Sequence, residues 1–410
     1  MTVGPRAPAT ERYDALVDFD KTLDTAPTSA YGLVKLTYDI GAGSCVPAPA
    51  EPLFHDVRDP HIEPRLCAGS DYWPHKVGTD VVVTGSAWHP GGAAAPRRTV
   101  TLQVAERSKS IAVFGRRVVT LGALGSPLFS DPEPFVELPI VNANAYGGWD
   151  ARVPMPFSDA LADVVARQHD HPGLYPRNPF GKGYVVHPEM PDNEVELPNL
   201  EDPSDRLTPE RFFVRDPKRW FQQPLPWCLD WSSALMYHRY VWLGTDAWFP
   251  APDDALMPEV RRGFLPPRYR DAAAELRDAL GAPLPFLQEA SLGMVVHGLR
   301  PGAPIAITGM NPELPTLSFS LPAAPRMSFS LGDDWEPAAP RLHSVLVLPG
   351  RQKLQLVYGA SYGPLRRKYV PGVHARIPLA LRVDDDTPVA YECPPTLGEA
   401  YREQQKGNAP

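Results

Sequence analysis

The chain has 410 residues and a net charge of −8, with 43% hydrophobic and 21% charged residues. That is ordinary globular usage, and the length allows about two or three domains. Its 51 prolines, more than twice the usual share of ~5%, exclude a helical bundle or coiled coil, because a helix interior tolerates neither the missing N–H nor the ring clash. The acidic balance leaves no basic footprint for nucleic acid.

Met1 to Pro5 lacks the basic stretch and apolar run of a secretory signal. No segment approaches the ~18 apolar residues of a membrane-spanning helix. Cys45, Cys67, Cys228 and Cys393 form no C-x-x-C pair and read as thiols of a reducing compartment. The cytoplasm is the expected location.

In chain order, strand signals come first. Tyr31 to Ile40, Val81 to Thr84, Thr99 to Val104, and Ile111 to Thr120 with a break at Gly115 are β-branched, aromatic and partly alternating. Ser158 to Gln168 reads as a helix capped by Ser158, with Leu161, Val164 and Val165 as its apolar stripe. From Tyr175 to Pro226 prolines recur and periodicity disappears. Helices are then expected over Trp231 to Leu243 and over Arg268 to Leu280, the latter closed by Gly281.

Strands return at Leu292 to Leu299, Ile305 to Thr308, Thr316 to Leu321, Met327 to Leu331, Ser344 to Leu348, Lys353 to Tyr358 and Arg376 to Val383. Several stand at sandwich or barrel spacing. The tail from Leu397 to Lys406 is at best a short polar helix. The expected fold is mainly β (α+β), with two sandwich- or barrel-like lobes and a few short helices in a proline-rich middle. The expected division is an N-terminal β-rich domain at 1–205, a helical Trp/Pro-rich connection at 206–290 and a C-terminal β-rich domain at 291–410.

Few residue patterns carry chemistry. Gly359-Ala360-Ser361-Tyr362-Gly363 matches G-x-S-x-G after a strand. A nucleophile elbow needs a helix next, then an acid and a histidine later in the chain. Pro364 to Pro371 is not amphipathic, and the last histidine, His374, precedes Asp384. The pattern therefore reads as a glycine-flanked hairpin turn, and a hydrolase using Ser361 or a His/Asp metal site is the alternative. His55, Asp56, Asp59 and His61, and the run His169-Asp170-His171, lack the spacing of a structural zinc site and read as solvated loops. Gly181-Lys182-Gly183 lacks the rest of a phosphate-cradling loop. No cofactor and no metal are expected.

Five of the nine tryptophans, Trp220, Trp227, Trp231, Trp242 and Trp248, are close together. Trp231, Leu235, His238 and Trp242 would share one face of the expected helix. Two readings stay open: a core stripe, or exposed anchors for a partner, with Arg239, Arg261 and Arg262 nearby. On the second reading, Trp220, Trp227, Trp231, Arg239, Trp242 and Trp248 are the candidate partner-binding residues. Arg366-Arg367-Lys368 reads as a solvated turn.

Several blocks together resemble the bacterial domain of unknown function 2169 family, found with type VI secretion systems. Leu33-Val34-Lys35-Leu36-Thr37-Tyr38 is similar to its opening V-K-x-T-F strand, and Lys76-Val77-Gly78-Thr79-Asp80-Val81 to its K-P-G-T-D-V block, followed by Pro90-Gly91-Gly92. Lys109 to Arg117 resembles K-x-L-x-V-F-G-x-R, and Ala145-Tyr146-Gly147-Gly148 resembles A-F-G-G. Asn178 to Gly183 and Leu197 to Glu201 resemble N-P-x-G-x-G and L-P-N-L-E. The glutamate usual before A-F-G-G and the G-F-G-P-I block are absent.

The resemblance implies a non-enzymatic adaptor or chaperone that binds an effector toxin and helps load it onto a spike protein of VgrG or PAAR type. A structural component of a contractile particle is a further alternative.

Overall fold

The computed structural model describes residues 10–19, 29–53, 69–72, 76, 78–148, 175, 177, 178, 180–184, 194–212, 223–232, 288–291, 293–332, 334–364 and 379–391. The described chain is mainly β. Its first strands are β1 (Tyr13–Phe19), β2 (Ala30–Ile40), β3 (Cys45–Pro47), β4 (Thr79–Val83), β5 (Ser86–Trp88), β6 (Arg97–Val104), β7 (Arg107–Phe114), β8 (Val118–Leu121), β9 (Pro127–Phe129) and β10 (Glu137–Pro139). Short strands follow: β11 (Tyr146–Gly147), β12 (Lys182–Gly183), β13 (Glu194–Glu196) and β14 (Leu200–Glu201), then one helical turn, α1 (Pro209–Phe212). The C-terminal part supplies β15 (Val295–Val296), β16 (Pro304–Thr308), β17 (Thr316–Ser320), β18 (Met327–Ser330), β19 (Trp335–Ala338), β20 (Arg341–Leu348), β21 (Lys353–Tyr362), β22 (Ala380–Val383) and β23 (Val389–Ala390).

The largest sheet has the order β1-β2-β21-β20-β4-β15, with β3 also on β2. All its pairings are antiparallel except β20 with β4. Every residue of β4 is buried, as expected of an interior strand covered on both faces. A five-stranded sheet has the order β14-β7-β6-β16-β17. Here the burial alternates: Val100, Leu102 and Val104 of β6 and Ile111 and Val113 of β7 face inward. One apolar cluster joins these side chains to Val81, Val83, Val345 and Leu356 of the larger sheet. A four-stranded sheet, β19-β18-β22-β23, packs Phe329 and Leu381 onto the same cluster.

The expected strand-rich fold is present, but its halves are interleaved. Both principal sheets combine strands from 1–205 with strands from 291–410, so the boundaries at 205 and 290 cut across both sheets and separate no complete one. Local pattern identifies strands without identifying their partners, and the partner of β2 is β21, with Ala30 opposite Tyr362.

Two local expectations are also corrected. Leu292 to Leu299 yields only Val295–Val296 as strand, because Ser291 and Met294 close a turn at Gly293, whose φ is 82°. The Gly359–Gly363 segment is not a hairpin turn: β21 runs through it to Tyr362, with Ser361 opposite Tyr31. Gly359 is needed for packing, since the His343 ring, at a register shift in β20, occupies the place of its absent side chain. The real turn of this hairpin is Pro349–Arg351, followed by Gln352 in the left-handed region. The helices expected at 158–168 and 268–280, and the tail at 397–406, lie outside the described residues, as does all of the helix expected at 231–243 except Trp231 and Ser232, which are not helical. Among the described residues, no helix is long and apolar enough to cross a membrane.

Candidate functional site

The K-V-G-T-D-V block carries charged groups into the interior. Lys76 Nζ donates to Asp80 Oδ2 at 2.7 Å, to Glu289 Oε2 at 3.1 Å and to Ser344 Oγ at 3.2 Å, with all three ion-pair side chains buried. Asp80 also accepts from Gln288 Nε2 and from the Glu289 and Ala290 amides, and Glu289 accepts from the Ser70 amide. Burial alone would lower the Lys76 pKa. The adjacent Asp80 and Glu289 carboxylates outweigh it and hold the pKa above its ordinary value. The ammonium also lies 5.7 Å from the Trp231 ring centre. A second buried pair, Lys35 with Asp71 at 2.8 Å, anchors β2.

Beside this network, Lys109 points inward from β7. Its Nζ lies 4.2 Å from the Trp227 ring centre and donates to Ser291 Oγ. Burial lowers its pKa to about 7, partly offset by Cys228 and Asp202. Burial likewise raises Cys228 to about 12 and Asp230 to about 6. Asp230 accepts from Thr84 Oγ1 and from the Trp231 amide.

At the end of β7, Phe114 is ringed by guanidinium groups. Arg117, Arg206 and Arg97 lie 4.1, 4.3 and 5.9 Å from its ring centre. Arg117 Nη2 donates to Glu201 Oε1 and to the Pro198 carbonyl, and Arg206 Nε donates to Glu201 Oε2 at 2.8 Å. The F-G-x-R-like and L-P-N-L-E-like blocks thus meet through Phe114, Arg117 and Glu201, while Asn199 Nδ2 donates to the Phe114 carbonyl at 2.8 Å.

A second junction joins the A-Y-G-G and N-P-F-G-K-G blocks. Asn178 Nδ2 donates to the Asn142 and Tyr146 carbonyls, and the Gly148 amide donates to the Asn178 carbonyl at 2.9 Å. Gly147 has φ 154°, and a side chain there would strike that carbonyl.

The outward surface is different in kind. The hairpin of β8 and β9 ends in Gly122–Ser126, where Leu124 is 97% exposed, and Leu128 on β9 is 55% exposed. β9 is the edge of the sheet β13-β8-β9. At the opposite edge, Glu194 and Glu196 of β13 are ion-paired, the first with Arg116, which also bridges Glu133, and the second with Lys182.

Of the candidate partner-binding residues, Trp227 and Trp231 are in the core rather than exposed. The Trp227 Nε1–H donates to the Ser110 carbonyl at 2.7 Å, and the Trp231 carbonyl accepts from Asn142 Nδ2 at 2.6 Å. For these two the core reading holds, because a segment that crosses both sheets buries its large rings to fill the gap. Trp220, Arg239, Trp242 and Trp248 lie outside the described residues, as do His55, Asp56, Asp59, His61, His169–His171 and Arg366–Lys368. Among the described residues, no group of three metal-ligating side chains converges. Ser361 extends a strand, so the sharp strand-to-helix turn of a nucleophile elbow is not formed there.

The sequence reading missed the Phe114 cluster and the Leu124 hairpin. The pattern Phe-Gly-Arg-Arg was visible, but its carboxylate partner is far along the chain. Neither a curated protein nor a solved structure matches the chain. A family model described as an uncharacterized protein conserved in bacteria (DUF2169) matches residues 28–359. That span takes in the five-stranded sheet, the larger sheet except β1 and the end of β21, and both junctions between family-like blocks, and the chain belongs to the DUF2169 family.

Proposed function

We propose that this protein is a non-enzymatic cytoplasmic adaptor that grips an effector toxin and delivers it to a spike protein of VgrG or PAAR type. The motif resemblance supplies the biological setting. The observation that carries the binding role is the β8–β9 hairpin, which holds one leucine almost wholly in water and a second more than half exposed, on a strand whose outer edge ends its sheet. Apolar side chains on a projecting edge are what a polypeptide partner covers, by side-chain contact or by adding a strand.

Co-purification of the tagged full-length protein from cells expressing the neighbouring effector and spike genes tests the role. An effector or spike component is expected above background, and recovery of neither removes the main support. The double variant Leu124→Glu, Leu128→Glu is expected to recover at least about tenfold less partner, with an unchanged melting temperature.

A further inference from the structure

The Phe114 cluster holds more positive charge than its own ion pairs consume. Three guanidinium groups, Arg97, Arg117 and Arg206, surround one ring, and among the described residues Arg117 and Arg206 share the carboxylate of Glu201 while Arg97 has no ion pair. The neighbouring acids are turned elsewhere. Asp202 accepts from Ser204, Asp205 pairs with Arg211, and Glu133 and Glu194 pair with Arg116. Arg117 is only 4% exposed, yet its Nε–H has no hydrogen-bond partner. An unmet buried donor of this kind is costly, and burial together with Arg206 and Arg97 depresses the Arg117 pKa. Arg97 is exposed, and the Arg206 side chain is 41% exposed. Among the described residues the Arg97 guanidinium makes no hydrogen bond, and Arg206 donates only from Nε, to Glu201. The phenyl ring holds the cations in place by its quadrupole, and planar guanidinium forks match the geometry of carboxylate and phosphate oxygens.

We propose that this cluster binds an oxyanion, a carboxylate or phosphate group, held by Arg97 and Arg206 on the solvent side with Arg117 behind them. The inference goes beyond the adaptor role and does not depend on it, because the ligand chemistry is set by the guanidinium groups alone. Isothermal titration of the full-length protein at constant ionic strength tests it, with inorganic phosphate in one arm and acetylated hexaglutamate in the other.

Saturable binding to one site is expected in at least one arm, weakened at least about tenfold by Arg97→Ala and by Arg206→Ala. Arg97→Ala removes only a ring contact, so circular dichroism is expected to show an unchanged fold. Arg351→Ala, which loses only its pair with Glu51, is expected to bind normally. Tighter binding of phosphate assigns the site to a free anion, and tighter binding of the peptide assigns it to a polypeptide carboxylate. Absence of binding in both arms, or binding that neither variant weakens, overturns the proposal.

Discussion

Single buried charges dominate the energetics at the residue scale. Lys76→Met leaves Asp80 and Glu289 in the interior without their cation, and the expected loss is about 3–5 kcal/mol, read from urea denaturation. A loss below about 1 kcal/mol would show that solvent reaches the network. Lys109 gives a pH signature. Its folded pKa is depressed to about 7 from an ordinary 10.5, so between those values the unfolded chain binds a proton that the folded protein does not, and stability rises with pH. Cys45 and Cys228 act oppositely. Burial raises both folded pKa values from 9.0, to about 11 and about 12, so their contribution declines above about pH 9. The clean window is therefore pH 7 to 9. Wild type is expected to gain stability across it in denaturant titrations, and Lys109→Met is expected to lack that gain. Equal slopes for the two proteins would contradict the assignment.

Short junctions between segments distant from one another matter at the scale of elements. Gly147→Ala places a side chain at φ 154° against the Asn178 carbonyl and is expected to cost about 1–3 kcal/mol. The loss should appear as a lower melting temperature, whereas Gly91→Ala, with open space around it, should cost less. Most of the longer strands were legible from their residues, because β-branched and alternating runs such as Arg97–Val104 and Thr316–Ser320 dictate extended, half-buried backbone. The short strands β3, β5, β9 to β14, β19 and β23 were not, being too brief to show a period, nor was β1, since Tyr13–Phe19 contains two aspartates, and Asp14 is buried where it accepts from the Ala15 and Leu53 amides. The 359–363 segment misled because glycine signals a turn by its freedom, whereas Gly359 serves by its small size beneath His343. The Phe114 cluster was only half legible: Arg117 stood in a recognisable block, but nothing local ties it to Glu201 or Arg206.

The scale of the whole molecule is set by topology. Because β2 pairs with β21, and β6 with β16, neither 1–205 nor 291–410 contains a complete principal sheet. Expressed alone, each segment is expected to lack cooperative unfolding and to bind hydrophobic dye. Co-expression, or the intact chain, is expected to show one cooperative transition for the sheets. A folded 1–205 fragment with native-like circular dichroism would contradict the shared core. The long separation between paired strands also places this protein among slow folders, since loop closure must precede most pairing.

The pairing of Ala30 with Tyr362 has a consequence during synthesis. At about 5–20 residues per second, a ribosome needs on the order of tens of seconds to deliver the second strand after the first has emerged. Throughout that wait the apolar nascent segment Ala30–Ile40 has no native neighbour on one side. Rapid synthesis is therefore expected to favour aggregation through this segment, and slower translation at lower temperature should raise the soluble yield.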